Sequence, residues 1–167
     1  MQIQYILHKE ISEEKLLDII KVKSASWNYS IDEHLQWINK NLADDDIHTI
    51  MFNDENEISA YLNLIKIELI INNERRTGYG IGNVCAFKKG NGDGAKLIKE
   101  VNSYLSDRNF VGLLFCKEAL IRFYQQFGWL EVHKKVKNIA VIDTMVKTMI
   151  FNYDNPIFDL LYEGKSF

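Results

Sequence analysis

Three glycines at alternate positions, set between an apolar strand and an amphipathic helix, constrain this chain more than any other feature. They lie in Lys89-Gly90-Asn91-Gly92-Asp93-Gly94-Ala95-Lys96-Leu97. Val84-Cys85-Ala86-Phe87 precedes them as the end of a strand. Leu97, Ile98, Val101, Tyr104 and Leu105 recur on one face of a helix from about Gly94 to Arg108. Glycine lets successive backbone N–H groups turn toward one point without side-chain obstruction. The helix start adds about half a positive charge from its dipole. Together these elements form a cradle for phosphate. A mononucleotide P-loop needs Gly-Lys followed by Ser or Thr, whereas Gly94 is followed by Ala95, Lys96 and Leu97. The dinucleotide fingerprint GxGxxG is not matched either, because the spacing is GxGxG and no βαβ unit opens the chain.

The remaining elements read in order. Ile3–Leu7 is a short strand. Ser12 opens a helix whose first turn holds Glu13 and Glu14, where acidic residues suit the dipole. A second helix runs from Ser30 or Asp32 to about Leu42. His48–Phe52 and Ile58–Ile70 are strands around the polar turn Asn53–Asn56, a hairpin pattern. Arg76–Phe87 is a strand in which Gly78, Gly80 and Gly82 mark a bulge or a close approach. Val111–Cys116 is a buried strand, and Glu118–Phe127 is a short helix capped by Gly128. Trp129–Val136 and Thr144–Asn152 are two final strands, followed by a loosely determined tail. A mixed α/β (α+β) sheet with flanking helices follows from this order, in one domain spanning residues 1–167.

Two motifs together resemble the GCN5-related N-acetyltransferase (GNAT) superfamily. Lys89-Gly90-Asn91-Gly92-Asp93-Gly94 is similar to its pyrophosphate loop, with lysine in place of the usual first Gln or Arg. Val84 fits the preceding strand, and Ala86 stands where a proline is common. Downstream, Phe123-Tyr124-Gln125-Gln126-Phe127-Gly128-Trp129 is similar to the family's FYxxxGF element and follows a strand as it does there. The resemblance implies a mostly antiparallel sheet of six to seven strands flanked by about four helices. It implies acetyl-CoA as cosubstrate, held by Val84, Cys85, Ala86, Lys89, Gly90, Asn91, Gly92, Asp93, Gly94 and Ala95. It implies that Tyr124 protonates the departing CoA sulfur. Trp27, Tyr29, Trp37 and Tyr79 are candidates to line the acceptor pocket.

The chain departs from the pattern at two points. Asp93 occupies a position that is usually aliphatic. Beside a pyrophosphate its carboxylate would repel, so it is read as turning outward to cap the helix. The strand before the loop carries no carboxylate to act as a base; Glu68, Tyr79 or a water chain are the candidates. Cys85 has no histidine neighbour in sequence, and a buried strand thiol is a poor nucleophile, so direct attack by the amine is expected.

Composition narrows the partners. A net charge of −3 with no Lys/Arg cluster gives no footprint for nucleic acid. No run of about 18 apolar residues marks a membrane span, and the N-terminal residues lack signal-peptide order. The four histidines and two cysteines show no metal-ligand spacing. Asp44-Asp45-Asp46 reads as a solvated loop, or as an attractor for a cationic substrate. The expectation is a cytoplasmic monomer or homodimer that acetylates a primary amine of a small molecule. A peptide or protein N-acetyltransferase, or a silent acyl-CoA-binding regulatory domain, are the alternatives.

Overall fold

The structure, a computed structural model, describes residues 2–133, 137–139 and 146–167. The chain divides into two compact units: residues 1–65 with 82–98, and residues 66–81 with 99–167. Strands β3 (Ile58–Ile71) and β4 (Glu74–Ala86) and helix α3 (Asp93–Asp107) each run through both.

The first unit holds β1 (Gln2–Leu7), α1 (Glu13–Ser24), α2 (Ile31–Asn41) and β2 (Ile47–Phe52). Both helices start where short polar side chains can take up unpaired N–H groups. Ser12 accepts from the Lys15 N–H at 3.2 Å. Ser30, not Asp32, caps α2 in a reciprocal box: its hydroxyl accepts from the Glu33 N–H at 3.2 Å and Glu33 accepts from the Ser30 N–H at 2.7 Å. β1 pairs antiparallel with β2 from Gln2–Phe52 to Leu7–Ile47, and β2 pairs antiparallel with β3. The hairpin turn forms because Asn53 accepts from the N–H groups of Glu55 and Glu57, at 3.0 and 2.8 Å. Ile19 and Val22 of α1 bury against Ile50, Phe52, Tyr61 and Cys85, while Ile20 packs with Ile38 and Leu42. The acidic run after α2 is spent locally. Asp45 pairs with Lys9 at 2.9 Å, and Asp46 is buried with its carboxylate accepting from the Ala43 N–H at 2.8 Å.

The second unit holds β5 (Val111–Lys117), α4 (Ile121–Gln125), β6 (Leu130–Glu131), β7 (Lys137–Ile139), β8 (Val146–Phe151) and β9 (Leu160–Tyr162). β4 and β5 are parallel from Gly78–Val111 to Ile81–Leu114, and β5 pairs antiparallel with β8. A Cβ on Gly78 would run into the Val111 carbonyl, so the expected close approach is real. The turn from β3 to β4 places Asn72 and Asn73 at φ 51° and 67°, the left-handed pair a tight hairpin needs. Asn72 also holds the tail. It accepts from Phe158 N–H at 2.8 Å and donates to the Pro156 carbonyl at 2.8 Å, so the segment expected to be loose is stitched to a turn.

Among the described residues there are four α-helices and six strands of six residues or more, with three shorter ones; the fold is mixed and mostly antiparallel, as expected. Some boundaries differ. The helix expected over Glu118–Phe127 opens as a 3-10 turn, Glu118–Leu120, and only Ile121–Gln125 is α-helical. Gly128 at φ 82° ends it, with the Trp129 N–H returning to the Tyr124 carbonyl at 3.3 Å. Of the expected strand Trp129–Val136 only Leu130–Glu131 is strand, and 134–136 lie outside the described residues, as do 144–145 of the next.

Candidate functional site

The glycine loop gives the site its shape. Gly90 and Gly92 sit at φ 87° and 78°, where a side chain is strained, and a Cβ on either, or on Gly94, would meet nothing within 4 Å. The loop face is therefore open. The Lys96 N–H reaches the Gly92 carbonyl at 3.0 Å, so Gly92 is the N-cap of α3. A glycine cap offers no side-chain oxygen, and the N–H groups of Asp93, Gly94 and Ala95 have no partner within the helix. Three aligned donors at a helix start are complementary to an anion.

Asp93 does not cap the helix. It is the first helical residue, because Gly92 already accepts the first helical bond, and its carboxylate turns back to Lys96 Nζ at 3.0 Å. The like-charge conflict is thereby reduced by a local ion pair. Lys88, Lys89 and Asn91 are exposed around the loop. An open cavity of about 440 Å³ adjoins it, lined by Lys15, Asp18 and Lys21 of α1, Asn53 and Asn56 of the hairpin turn, and Lys88, Asn91 and Asp93.

On β4, Asn83 adopts φ 54° in mid-strand. A left-handed residue within a strand is a mark of a β-bulge, which bends the strand locally. The Asn83 Nδ2 is buried without a hydrogen-bond partner. Val84 and Ala86 are half-buried, and the Phe87 N–H bonds the Ser59 carbonyl at 2.8 Å. Cys85 is buried in the α1-facing core, and burial pushes its thiol up to about 12, partly offset by Lys23. It is no nucleophile near neutrality.

Glu68, the carboxylate considered as a base, is on the surface. It accepts from the Thr77 hydroxyl at 2.7 Å, and Glu74 pairs with Arg76. Instead, the first unit buries a polar series that sequence reading missed. Asn63 Nδ2 donates to Tyr61 Oη at 2.7 Å, Tyr61 Oη bonds His48 Nδ1 at 2.7 Å, and His48 Nε2 bonds His8 Nδ1 at 3.0 Å. Asn63, Tyr61 and His48 are wholly buried, while His8 is half-buried. Tyr61 and Asn63 are two apart on β3, but His48 lies on β2 and His8 in the 3-10 turn after β1, so no short spacing joins the whole series. The one signal was polar side chains inside apolar strands, as in Tyr61-Leu62-Asn63-Leu64-Ile65.

Tyr124 lies on α4 in the second unit, 5% exposed, its ring edge-on to Phe123 and Trp129. Burial raises its hydroxyl above the ordinary tyrosine value, with Cys116 nearby adding to the shift. Tyr79, a lining candidate, is buried edge-on against Tyr104 and Phe110. Trp27 is half-buried against the α1-facing core, whereas Tyr29 is 58% exposed beside His34. Trp37 forms the platform for the buried Lys23, whose Nζ lies 4.6 Å from its ring centroid. Among the described residues, no group of three or more His, Cys, Asp or Glu could hold a metal ion, and no helix is long and apolar enough to cross a membrane.

Solved structures share this fold. A GNAT family N-acetyltransferase (YhbS) from Escherichia coli in complex with CoA aligns with a TM-score of 0.67 at 15% identity, over 98% of this chain and 91% of that one. An acyl-CoA N-acyltransferase from Pseudomonas aeruginosa aligns at 0.64 and 15% identity, over 90% and 99%. A spermidine N-acetyltransferase (SpeG) chimera from Vibrio cholerae and hSSAT aligns at 0.62 and 17% identity, over 90% and 95%. No family model matches the chain, and no curated protein sequence matches it.

Proposed function

From a chain with the fold of the GCN5-related N-acetyltransferases, we propose an acyl-CoA-dependent N-acyltransferase that moves an acetyl group to a primary amine of a small molecule. The observation that carries this reading is the helix start at Gly92, with its uncapped N–H groups behind two left-handed glycines. That arrangement suits a pyrophosphate. The loop Lys89–Ala95 holds this group, and the strand Val84–Ala86 pairs with the pantetheine arm. A strand N–H polarises the thioester carbonyl as it gains negative charge. The amine nitrogen attacks the carbonyl carbon, the C–N bond forms and the C–S bond breaks. The nitrogen loses one proton, and Tyr124 delivers another to the sulfur before regaining it from water. The small-molecule acceptor is supported by a neighbour whose name gives spermidine as its substrate.

Acetyl-CoA is expected to raise the melting temperature in a concentration-dependent way, since it binds only the folded state. Gly92→Ala is expected to weaken that binding about ten-fold. The loss corresponds to about 1.4 kcal/mol, within the cost of about 1–3 kcal/mol for a non-glycine residue in the left-handed region. Calorimetric titration measures it. If no CoA thioester shifts the melting curve of the unaltered protein, the reading falls. Release of CoA thiol with any of a panel of small amines separates an enzyme from a silent binding domain.

A further inference from the structure

An amine acceptor reaches the enzyme largely as an ammonium ion and must shed a proton before its nitrogen can attack. Residues 76–87 ahead of the glycine loop include no carboxylate to take it, and Glu74 at the far end of β4 is exposed and paired with Arg76. We propose that the series Asn63–Tyr61–His48–His8 is the proton exit for this reaction, leading from the buried face of β3 to the surface at His8.

The hydrogen-bond order gives the series a direction. Asn63 donates its amide N–H to Tyr61 Oη, and the proposed direction assigns the Tyr61 hydroxyl proton to His48 Nδ1, 2.7 Å away. His48 Nδ1 is then an acceptor, which leaves the ring proton on Nε2 and pointed at His8 Nδ1. Each donor faces outward, toward the half-buried end. At the inner end, Asn63 Oδ1 is a buried acceptor without a partner, and the Tyr61 oxygen keeps one lone pair. Two acceptors with no donor fit a group that brings a proton, such as a water molecule carrying the one shed by the amine. Tyr61 packs with Cys85, so this inner end adjoins the strand proposed to carry the thioester.

The step balances without redox change. The ammonium gives up one proton and keeps its electron pair for attack. That proton arrives at Tyr61 Oη, the tyrosine's own proton passes to His48 Nδ1, and the His48 Nε2 proton passes to His8 Nδ1. His8 releases the proton on its outer nitrogen to bulk water, and His48 regains its Nε2–H form between turnovers. The ionisable groups facing the series are His8 from the 3-10 turn after β1, Lys23 from α1 and Cys85 from β4. All but His8 are buried. Burial, with His8 and Lys23 beside it, lowers His48 to about 3, so it passes a proton without holding one. These residues position and relay; none is argued to touch the acceptor.

The proposal rests on the acyltransferase reading, and its test separates the two. Tyr61→Phe keeps the ring and removes the hydroxyl. It is expected to lower kcat at neutral pH about ten-fold or more. The loss should shrink at alkaline pH, where the amine is already neutral. The rise in melting temperature with acetyl-CoA should be unchanged. His8→Ala should lose activity in the same way and regain part of it with added imidazole, which a merely structural histidine would not do. Nitrogen NMR should find His48 protonated on Nε2. The relay is overturned if folded Tyr61→Phe and His8→Ala keep the kcat and pH profile of the unaltered enzyme while acetyl-CoA still stabilises them. If Tyr61→Phe does not fold, the imidazole response of His8→Ala decides alone. An unaltered protein that neither binds acetyl-CoA nor releases thiol overturns the acyltransferase reading, and the relay with it.

Discussion

Tyr124→Phe is expected to lower kcat about 10²-fold, the lower end of the range for a positioned proton donor, while acetyl-CoA still raises the melting temperature. The substitution removes one oxygen and leaves the ring packed against Phe123 and Trp129, at centroid distances of 5.0 and 6.2 Å. No hydrogen bond ties the Tyr124 hydroxyl among the described residues, so it can turn to an incoming sulfur. Burial raises its pKa, which fixes the sign of the pH effect. A proton donor must be protonated, and this one stays so through and beyond the ordinary tyrosine range. Any alkaline fall in kcat near that range therefore comes from another group. Steady-state kinetics across pH check both points. Unchanged kcat in the phenylalanine variant would remove Tyr124 from the mechanism.

Trp129→Ala is expected to cost about 3–5 kcal/mol of folding stability, a large part of the roughly 5–15 kcal/mol that a domain has. Trp129 is wholly buried. Its Nε1 donates to Asn102 Oδ1 at 3.0 Å, and Asn102 Nδ2 donates to the Phe127 carbonyl at 2.7 Å. One indole thus ties α3 to the end of α4 while its ring packs on Phe151 at 5.4 Å. Truncation opens a cavity and leaves the Asn102 oxygen without its donor. Because the Tyr124 ring rests on the same indole, the variant should also lose turnover at temperatures where it remains folded. Urea unfolding measures the first effect and kinetics below the transition the second. Trp129→Phe, which fills much of the space but lacks the N–H, should fall between.

What could be read from the sequence was what is local. The loop from Lys89 to Leu97 carries its own instructions: two glycines at positive φ and a helix that starts beside them. The helix caps at Ser12 and Ser30 and the stop at Gly128 are likewise decided within a few residues. Asp93 was misplaced by one position, because a backbone carbonyl rather than a side chain decides which residue caps a helix. The polar series from Asn63 to His8 was not legible. It depends on the strand register, which sets His48 opposite both Ile6 and Asn63. The tail was unreadable for a similar reason, since Asn72 holds it from more than eighty positions away.

Asparagine supplies every described non-glycine residue at positive φ, but the asparagine with the most to lose is Asn91, which is not among them. It is exposed and followed by Gly92, which is itself exposed and has nothing within 4 Å of where a Cβ would sit. The Gly92 amide nitrogen can attack the Asn91 side-chain carbonyl, expel ammonia and close a succinimide ring. Hydrolysis of the ring leaves aspartate or isoaspartate, so a carboxylate replaces an amide two residues from Asp93. The open glycine loop proposed to hold an anion is thus also exposed to chemical ageing. Preparations kept warm and alkaline should become progressively more acidic at this loop and weaker toward CoA, with no change in fold.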